Sequence, residues 1–176
     1  MLPIHTRKLH VTTMVLPILE YASIVWGDKN NAIKMNSIQI LQNKASKLIL
    51  DRAPHSSSSD AMDHLKWLDL SHRRHLNRCI FMYKTVNGDS EISKYLTRGL
   101  DTHNYDTRQK NNLRTIKSSA NRCLLRSVNC CTNDWNALPI EIRSLPTISS
   151  FKAAILSSWR KNWRVYITSC ILTLKF

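Results

Sequence analysis

The sequence predicts a mainly α-helical fold, in which a helical bundle is followed by a smaller mixed C-terminal extension with short strands. Only 3 of the 176 residues are glycine and 5 are proline, so few residues interrupt helices. Apolar residues in the first half recur at helical spacing, as on the buried face of an amphipathic helix. A hydrophobic content of 43% over this length is enough to bury a core in one domain or two small ones.

The first predicted helix covers residues 9–26. Pro17 lies on its polar side and is expected to kink or break it near Leu16, and Gly27 provides a stop. The apolar residues that share one arc of this helix are Val11, Met14, Val15, Ile18, Leu19, Ala22, Val25 and Trp26.

The second predicted helix lies between Ala32 and Leu50 and contains no acidic residue. Its polar residues, among them Lys44 and Ser46, are expected to lie outside the apolar face. That predicted apolar face consists of Met35, Ile38, Leu41, Ala45, Leu48 and Ile49.

A loop and two further helices are predicted next. Residues 52–59 contain a proline and a run of four serines, which favour a loop. Asp60 is the predicted N-cap of a short helix, and Ser71 that of a longer helix that runs to about Asn87 and stops at Gly88. The predicted buried face of the longer helix consists of Leu76, Cys79, Ile80, Met82, Tyr83 and Val86.

The C-terminal half of the chain has a different composition. Residues 99–112 are polar and turn-rich, and residues 113–128 contain short apolar pieces suited to strands. A last helix is predicted after Pro146, with its buried face formed by Phe151, Ala154, Ile155 and Trp159. The sequence is therefore predicted to divide into four segments. They are a helical segment, 1–53; a second helical segment that begins with the serine-rich loop, 54–98; a basic mixed extension, 99–164; and an apolar tail, 165–176.

The chain is strongly basic. Its 26 Lys and Arg residues oppose 12 Asp and Glu residues, for a net charge of +14, which indicates a polyanionic partner. The acidic residues are scattered, so no carboxylate cluster is predicted to hold two catalytic metal ions. Neither a phosphate-binding glycine loop nor a glycine-flanked nucleophilic serine occurs. We therefore expect no enzymatic activity from the chain on its own, and no cofactor.

Two groups of basic residues are candidates for contact with nucleic acid, because Lys and Arg neutralise phosphates and a nearby aromatic ring can stack on a base. On the longer helix, a solvent-facing group is predicted from Arg73, Arg74, Arg78, Phe81 and Lys84. In the acid-free stretch after Asp106, the candidates are Arg108, Lys110, Arg114, Lys117, Arg122 and Arg126. The simpler alternative on the helix is that Phe81 packs against a neighbouring element and the charges form a solvated face.

A metal site is a less favoured alternative. His72, His75 and Cys79 are spaced so that they share one helical face, and His64 is close in sequence. Apolar residues occupy the same face, so packing of these side chains in a core, with their polar atoms bonded to the backbone, is the favoured interpretation. The adjacent cysteines at 130 and 131 lack the spacing of a zinc motif.

Targeting signals are not evident in the sequence. The first residues lack the apolar segment of a signal peptide, and the apolar tail 165–176 is too short to cross a bilayer. The five cysteines are odd in number and irregularly spaced, as expected for reduced thiols. These features predict an intracellular protein, cytosolic or nuclear, with no membrane partner.

Seven short strings occur in an order and spacing that resemble one protein family. They are LEYASIVWG (19–27), LQNKA (41–45), WLDL (67–70) with the Arg73-Arg74 pair after it, MYKTVNG (82–88), YDTR (105–108), WNALP (135–139) and SFK (150–152). Together they resemble the region downstream of the catalytic core in reverse transcriptases of jockey-like non-LTR (LINE-type) retrotransposons. The resemblance covers residues 16–159.

The resemblance implies a thumb-like helical segment and a C-terminal extension that help to hold template RNA and the primer–template duplex. The fingers, the palm, the paired-aspartate motif and the endonuclease of such polymerases have no counterpart in this sequence. The expected function is thus a non-catalytic fragment that binds RNA or an RNA–DNA duplex and partners the missing fingers and palm. The alternatives are a scaffold module that packs on the polymerase core through its first helix, a zinc-dependent enzyme, or a genomic remnant without function.

Overall fold

The computed structural model describes residues 2–26, 32–88, 91, 93, 96, 111–115 and 123–159. These residues are mainly helical, which confirms the predicted helical class, and they include no strand. The chain forms two compact units. One is made of Met1–Arg78 and Ile116–Cys130, and the other of Cys79–Thr115 and Cys131–Phe176.

The N-terminal segment is helical but is divided differently from the prediction. Helix α1 (Ile4–His10) continues through a wide π-helical turn (Val11–Val15) into helix α2 (Leu16–Glu20), which has Pro17 in its first turn. The helical path does not break near Leu16. The wide turn before Pro17 leaves room for the proline ring and does not require the N–H that proline lacks. The break comes instead at Ala22, whose φ is 49°, and a short helix α3 (Ser23–Trp26) follows.

The wide turn also changes which residues of this segment are buried. It inserts about one extra residue per turn, so the buried face after it is rotated relative to a regular helix. Leu16 is buried although it lay outside the predicted arc, whereas Met14, Ile18 and Val25 of that arc are exposed. The residues that form the core of the first unit are Val11, Leu16, Ile49 and Leu65, packed against Val15, Leu19, Ala45, Leu50 and Trp67.

Helix α4 (Ala32–Ile49) confirms the second predicted helix, but its predicted apolar face is wrong in part. Gln42, Ser46 and Ile49 are buried, whereas Leu41 and Leu48 are exposed. Two glutamines explain this orientation. The Gln42 side-chain amide donates to the carbonyl of Leu68 at 3.0 Å, and the Gln39 side-chain carbonyl accepts the Leu70 N–H at 2.9 Å. These bonds hold the polar side of α4 against the chain between the next two helices.

Helices α5 (Ser58–Leu65) and α6 (Leu70–Asn87) follow, with caps other than those predicted. The Ser57 hydroxyl, not Asp60, caps α5 by accepting the Asp60 N–H. At α6 the carboxylate of Asp69, not the hydroxyl of Ser71, accepts the His72 N–H at 2.8 Å. Gly88 follows α6 as predicted.

An ion pair connects α1 to the turn that follows α4. The Arg7 guanidinium donates to the Leu48 carbonyl at 2.9 Å and to the Asp51 carboxylate at 2.8 Å. A cation at this place complements the partial negative charge at the end of α4. The hydrogen bond from Arg7 also lowers the pKa of Asp51 below its usual value.

The C-terminal part of the chain contains helices α7 (Cys123–Asn136), α8 (Ile140–Arg143) and α9 (148–159). The rings of Tyr83 and Trp135 lie 4.6 and 5.9 Å from that of Phe151, and the Tyr83 hydroxyl donates to the Leu145 carbonyl at 2.8 Å. The burial of Phe151 and Ile155 confirms the predicted face of the last helix.

For residues 123–128 the prediction of short strands is wrong, because they belong to α7. The buried residues of that helix include Ser127, Cys131, Asp134 and Trp135. Their spacing is helical, but several of them are polar, such as Ser127 and Asp134, so the apolar pattern does not show it. The Ser127 hydroxyl donates a hydrogen bond to the Val25 carbonyl, which is distant in sequence, at 2.7 Å.

In the part of the chain that the structure describes, no helix has both the length and the apolar character needed to span a membrane.

Candidate nucleic-acid interface

The basic residues of α6 do not form the solvent-facing group that the sequence predicts. Arg74 and Arg78 are each only 4% exposed. Arg73 is partly exposed, and its Nε donates to the Glu20 carboxylate of α2. The segment that carries Glu20 and Trp26 therefore covers part of the basic side of α6, which is why the expectation of a solvated face is wrong for Arg74.

Arg74 is a buried cation. Its guanidinium lies over the Trp26 ring, 5.2 Å from the ring centroid, which is a cation–π arrangement. Its Nε and Nη2 are buried without a hydrogen-bond partner. Burial lowers the pKa of Arg74, the carboxylates of Glu20 and Asp69 oppose that effect, and the charge of Arg78 adds to it. Arg74 thus acts as a packing residue of the first unit.

Lys84 and Phe81 remain accessible on the last part of α6. Lys84 is exposed and Phe81 is half-buried. Residues three apart are neighbours on a helix surface, so the ammonium group and the ring are on one side of the helix. This pair is able to neutralise a phosphate and to stack on an adjacent base.

The predicted basic stretch after Asp106 is described only in part. Arg114 is exposed. The neighbouring residue, Leu113, is held by both its N–H and its carbonyl, which bond to the Asn136 side chain at 3.0 and 2.8 Å. These two hydrogen bonds from α7 fix the backbone next to Arg114. Arg126 belongs to α7. The candidates that lie outside the described residues are Arg108, Lys110, Lys117 and Arg122.

The histidines predicted as alternative metal ligands lie near the start of α6. The His72 ring nitrogen Nδ1 lies 2.7 Å from the Asp69 carboxylate, and Cys79 is buried. Burial opposes the ionisation of Asp69, but its hydrogen bonds from His72 and Ser71 outweigh that effect and lower the pKa of Asp69. Among the residues described, no group of three or more His, Cys, Asp or Glu side chains is arranged to hold a metal ion.

Helix α4 carries basic residues that the sequence did not single out as a site. Lys34 and Lys44 are exposed, and the Lys47 ammonium donates to the Pro54 carbonyl at 2.7 Å. The absence of any acidic residue from α4 is the signal that points to this surface. Which side of α4 faces the solvent, and therefore which lysines are exposed, follows from the orientation set by Gln39 and Gln42.

Comparison with protein-family models, with curated proteins and with solved structures found no match to this chain.

Proposed function

We propose that this chain is a non-catalytic module that binds RNA or an RNA–DNA duplex through phosphate contacts, within an RNA-directed DNA polymerase of a LINE-type retrotransposon. The observation that carries the proposal is the net charge of +14. The ordered strings that resemble the region downstream of such a polymerase core support the choice of nucleic acid among polyanions. Lysine and arginine side chains bind nucleic acid by releasing the counterions condensed on its phosphates.

The geometry limits which of the candidate residues touch phosphate. Lys84 and Arg114 are exposed, and we assign them this role together with the rest of the basic stretch between Asp106 and Asp134, whereas the half-buried Phe81 ring is assigned to stacking on a base. Arg74 and Arg78 are buried, so we assign them to packing, and Arg73 is engaged with Glu20. The proposed contacts therefore come from the end of α6 and, separately, from the basic stretch, rather than from the whole of α6.

The first experiment measures affinity for a labelled RNA–DNA hybrid by fluorescence anisotropy at several salt concentrations. Binding is expected to weaken linearly on a log–log plot, with a slope of about −0.9 for each phosphate neutralised, the value known for duplex DNA. A slope near zero would contradict the proposal.

The second experiment locates the interface by charge reversal. The test variant changes to glutamate the four residues Arg114, Lys117, Arg122 and Arg126. The control variant changes to glutamate four exposed lysines elsewhere, which are Lys34, Lys44, Lys66 and Lys152. Both variants lower the net charge from +14 to +6, because each replacement removes one positive and adds one negative charge. The test variant is expected to lose at least about tenfold more affinity than the control; equal losses would show that binding depends on charge alone.

A second candidate function is supported by the N-terminal segment. Exposed apolar side chains occur along it at Met14, Ile18, Tyr21 and Val25, before and after the break at Ala22, and such exposed apolar residues are typical of a face that packs against another body. We propose as the alternative that this face packs on the polymerase core. Adding the purified chain to a separately produced polymerase core would then give a complex that Ile18→Ser weakens, whereas an unchanged complex would contradict it.

A further inference from the structure

Helix α4 exposes apolar side chains and buries polar ones. Its exposed apolar residues are Ile33, Ile40, Leu41 and Leu48, with exposed fractions of 84%, 51%, 51% and 68%. On its opposite side Gln42 and Ser46 are fully buried. The glutamine bonds to Leu68 and Leu70 fix this orientation, so the helix cannot turn its apolar side inward without breaking both.

The spacing of the exposed residues suits a helical partner. Ile33 and Ile40 are seven residues apart, as are Leu41 and Leu48, and seven residues make two helical turns. By helical angle the four residues fall within an arc of about 100° along one side of α4, which is the width of the apolar stripe by which an amphipathic helix packs against another element. The stripe is about 24 Å long, from 16 residues at about 1.5 Å each.

The charges on the same side define the partner further. Lys34 and Lys44 are exposed, and α4 contains no acidic residue. By helical angle, Lys44 lies between the Ile33–Ile40 pair and the Leu41–Leu48 pair. A partner helix that covers the stripe must therefore offer a carboxylate opposite Lys44, because an ammonium group loses its hydration when the surface is covered.

Other occupants suit this surface less well. A second copy of the same face would bring lysines against lysines, which is repulsive. A bilayer would take up the apolar side chains but would also draw Lys44, in the middle of the stripe, towards the hydrocarbon. A phosphate backbone would satisfy the lysines but would leave the four apolar side chains uncovered.

We propose that this side of α4 is the docking site for an acidic amphipathic helix of a partner protein. The apolar face of that helix covers Ile33, Ile40, Leu41 and Leu48, and its carboxylates face Lys34 and Lys44. The proposal concerns a different surface from the nucleic-acid interface, so it stands or falls separately from the proposed function.

The experiment uses the full chain and a labelled synthetic helix of about three heptads, with leucine at the seam positions and glutamate beside them. A scrambled peptide of the same composition is the control, because it keeps the charge but loses the apolar face. Binding is measured by fluorescence anisotropy. The acidic helix is expected to bind at least about tenfold more tightly than the scrambled peptide; equal binding, or none, would overturn the proposal.

Variants of α4 then test the site itself. Ile40→Ser and Leu48→Ser are expected to weaken peptide binding at least about tenfold, whereas Ile140→Ser, which changes an exposed residue of α8, leaves it unchanged. Lys44→Glu is expected to weaken binding of the acidic helix, and a peptide with lysine at the matching position restores it. Since the four substituted residues, Ile40, Lys44, Leu48 and Ile140, are all exposed, circular dichroism should show that each variant is folded.

Three outcomes would replace the proposed occupant with another. The chain would sediment as a dimer that Leu48→Ser dissociates if a second copy covers the stripe. Vesicles of phosphatidylserine would bind with the same dependence on Ile40 and Leu48 if a membrane does. The RNA–DNA hybrid would bind with that dependence if nucleic acid does. Each of these results, found without specific binding of the acidic helix, would overturn the proposal.

Discussion

At the scale of single residues, Arg74 shows how far a charged side chain can differ from its expected place. Its sequence context, beside Arg73 and one turn before Arg78, is typical of a phosphate-binding helix face. In the folded chain the Trp26 ring covers its guanidinium, and two of its nitrogens have no hydrogen-bond partner. Glu20 and Trp26, which lie beside Arg74 and cover it, precede it by about 50 residues in the sequence.

Arg74→Met tests the packing role of this residue. Methionine keeps an extended apolar stem and removes a buried charge, and replacing buried charges by apolar residues of similar size is often neutral or stabilising. We expect the free energy of unfolding in urea to be unchanged or raised by up to about 2 kcal/mol. Affinity for the RNA–DNA hybrid should also stay the same, whereas Lys84→Met should weaken it. A loss of hybrid binding in the folded Arg74→Met variant would show that Arg74 contributes to the nucleic-acid interface.

Asp69 is the residue whose titration the structure predicts most directly. Its pKa is lowered in the folded chain, so the charged form contributes stability above the ordinary value of about 3.9 and loses it as the pH falls through the lower, folded value. Asparagine keeps the capping ability but not the charge. We expect Asp69→Asn to cost less than about 1 kcal/mol at neutral pH, because the side chain is 41% exposed.

The measurement is urea unfolding of the parent and of Asp69→Asn from pH 7 to pH 3. The difference between them should be constant above about pH 5 and should shrink below about pH 4, as the Asp69 carboxylate becomes protonated. Asp63→Asn, at an exposed residue of α5, is the control for removing a negative charge. A difference that grows as the pH falls would contradict the assigned role of the carboxylate.

At the scale of helices, α4 separates what periodicity predicts from what packing decides. The apolar pattern predicts that Leu41, Leu48 and Ile49 share a buried face. Only Ile49 of these is buried, because the hydrogen bonds of Gln39 and Gln42 with the chain between α5 and α6 set the rotation of the helix. A buried amide group such as that of Gln42 is costly unless it is hydrogen-bonded, so a polar pair can determine the orientation of an otherwise apolar helix.

Two adjacent residues of α4 make this prediction measurable. Ile49→Ala should lower the free energy of unfolding by about 2–4 kcal/mol, because Ile49 is fully buried in the core of the first unit. Leu48→Ala should change it by less than about 0.5 kcal/mol, because Leu48 is exposed. Urea denaturation followed by circular dichroism compares the two. A similar loss for both would mean that Leu48 is packed as the sequence pattern predicts.

At the scale of the whole molecule, the excess of positive charge has opposite effects on binding and on stability. The 26 basic residues attract a polyanion, but they also repel one another in the compact state. Ion pairs such as Arg7–Asp51 and Arg73–Glu20 offset part of this repulsion. The balance depends on ionic strength, because screening weakens both attraction and repulsion between exposed charges.

We therefore expect the thermal midpoint of unfolding to rise by a few degrees when salt is increased from about 20 to about 200 mM, since repulsion dominates at this net charge. Over the same range, affinity for the RNA–DNA hybrid should fall. Differential scanning fluorimetry and anisotropy measure the two trends on the same sample. A midpoint that falls with salt would show that the ion pairs outweigh the repulsion.

The sequence by itself determined the helical class, the location of α4 and α6, the buried face of the last helix, the stop at Gly88 and the basic character of the chain. These follow from local propensity, from apolar spacing and from composition, which need no knowledge of distant contacts. The tertiary structure alone decided that Pro17 is accommodated by a wide turn, that Asp69 caps α6, that Arg74 is buried and that α4 exposes Leu41 and Leu48. In each case the outcome depended on a neighbouring group, such as Trp26 for Arg74 and the Leu68 carbonyl for Gln42. Hydrophobic periodicity contains no information about which polar group a helix will contact.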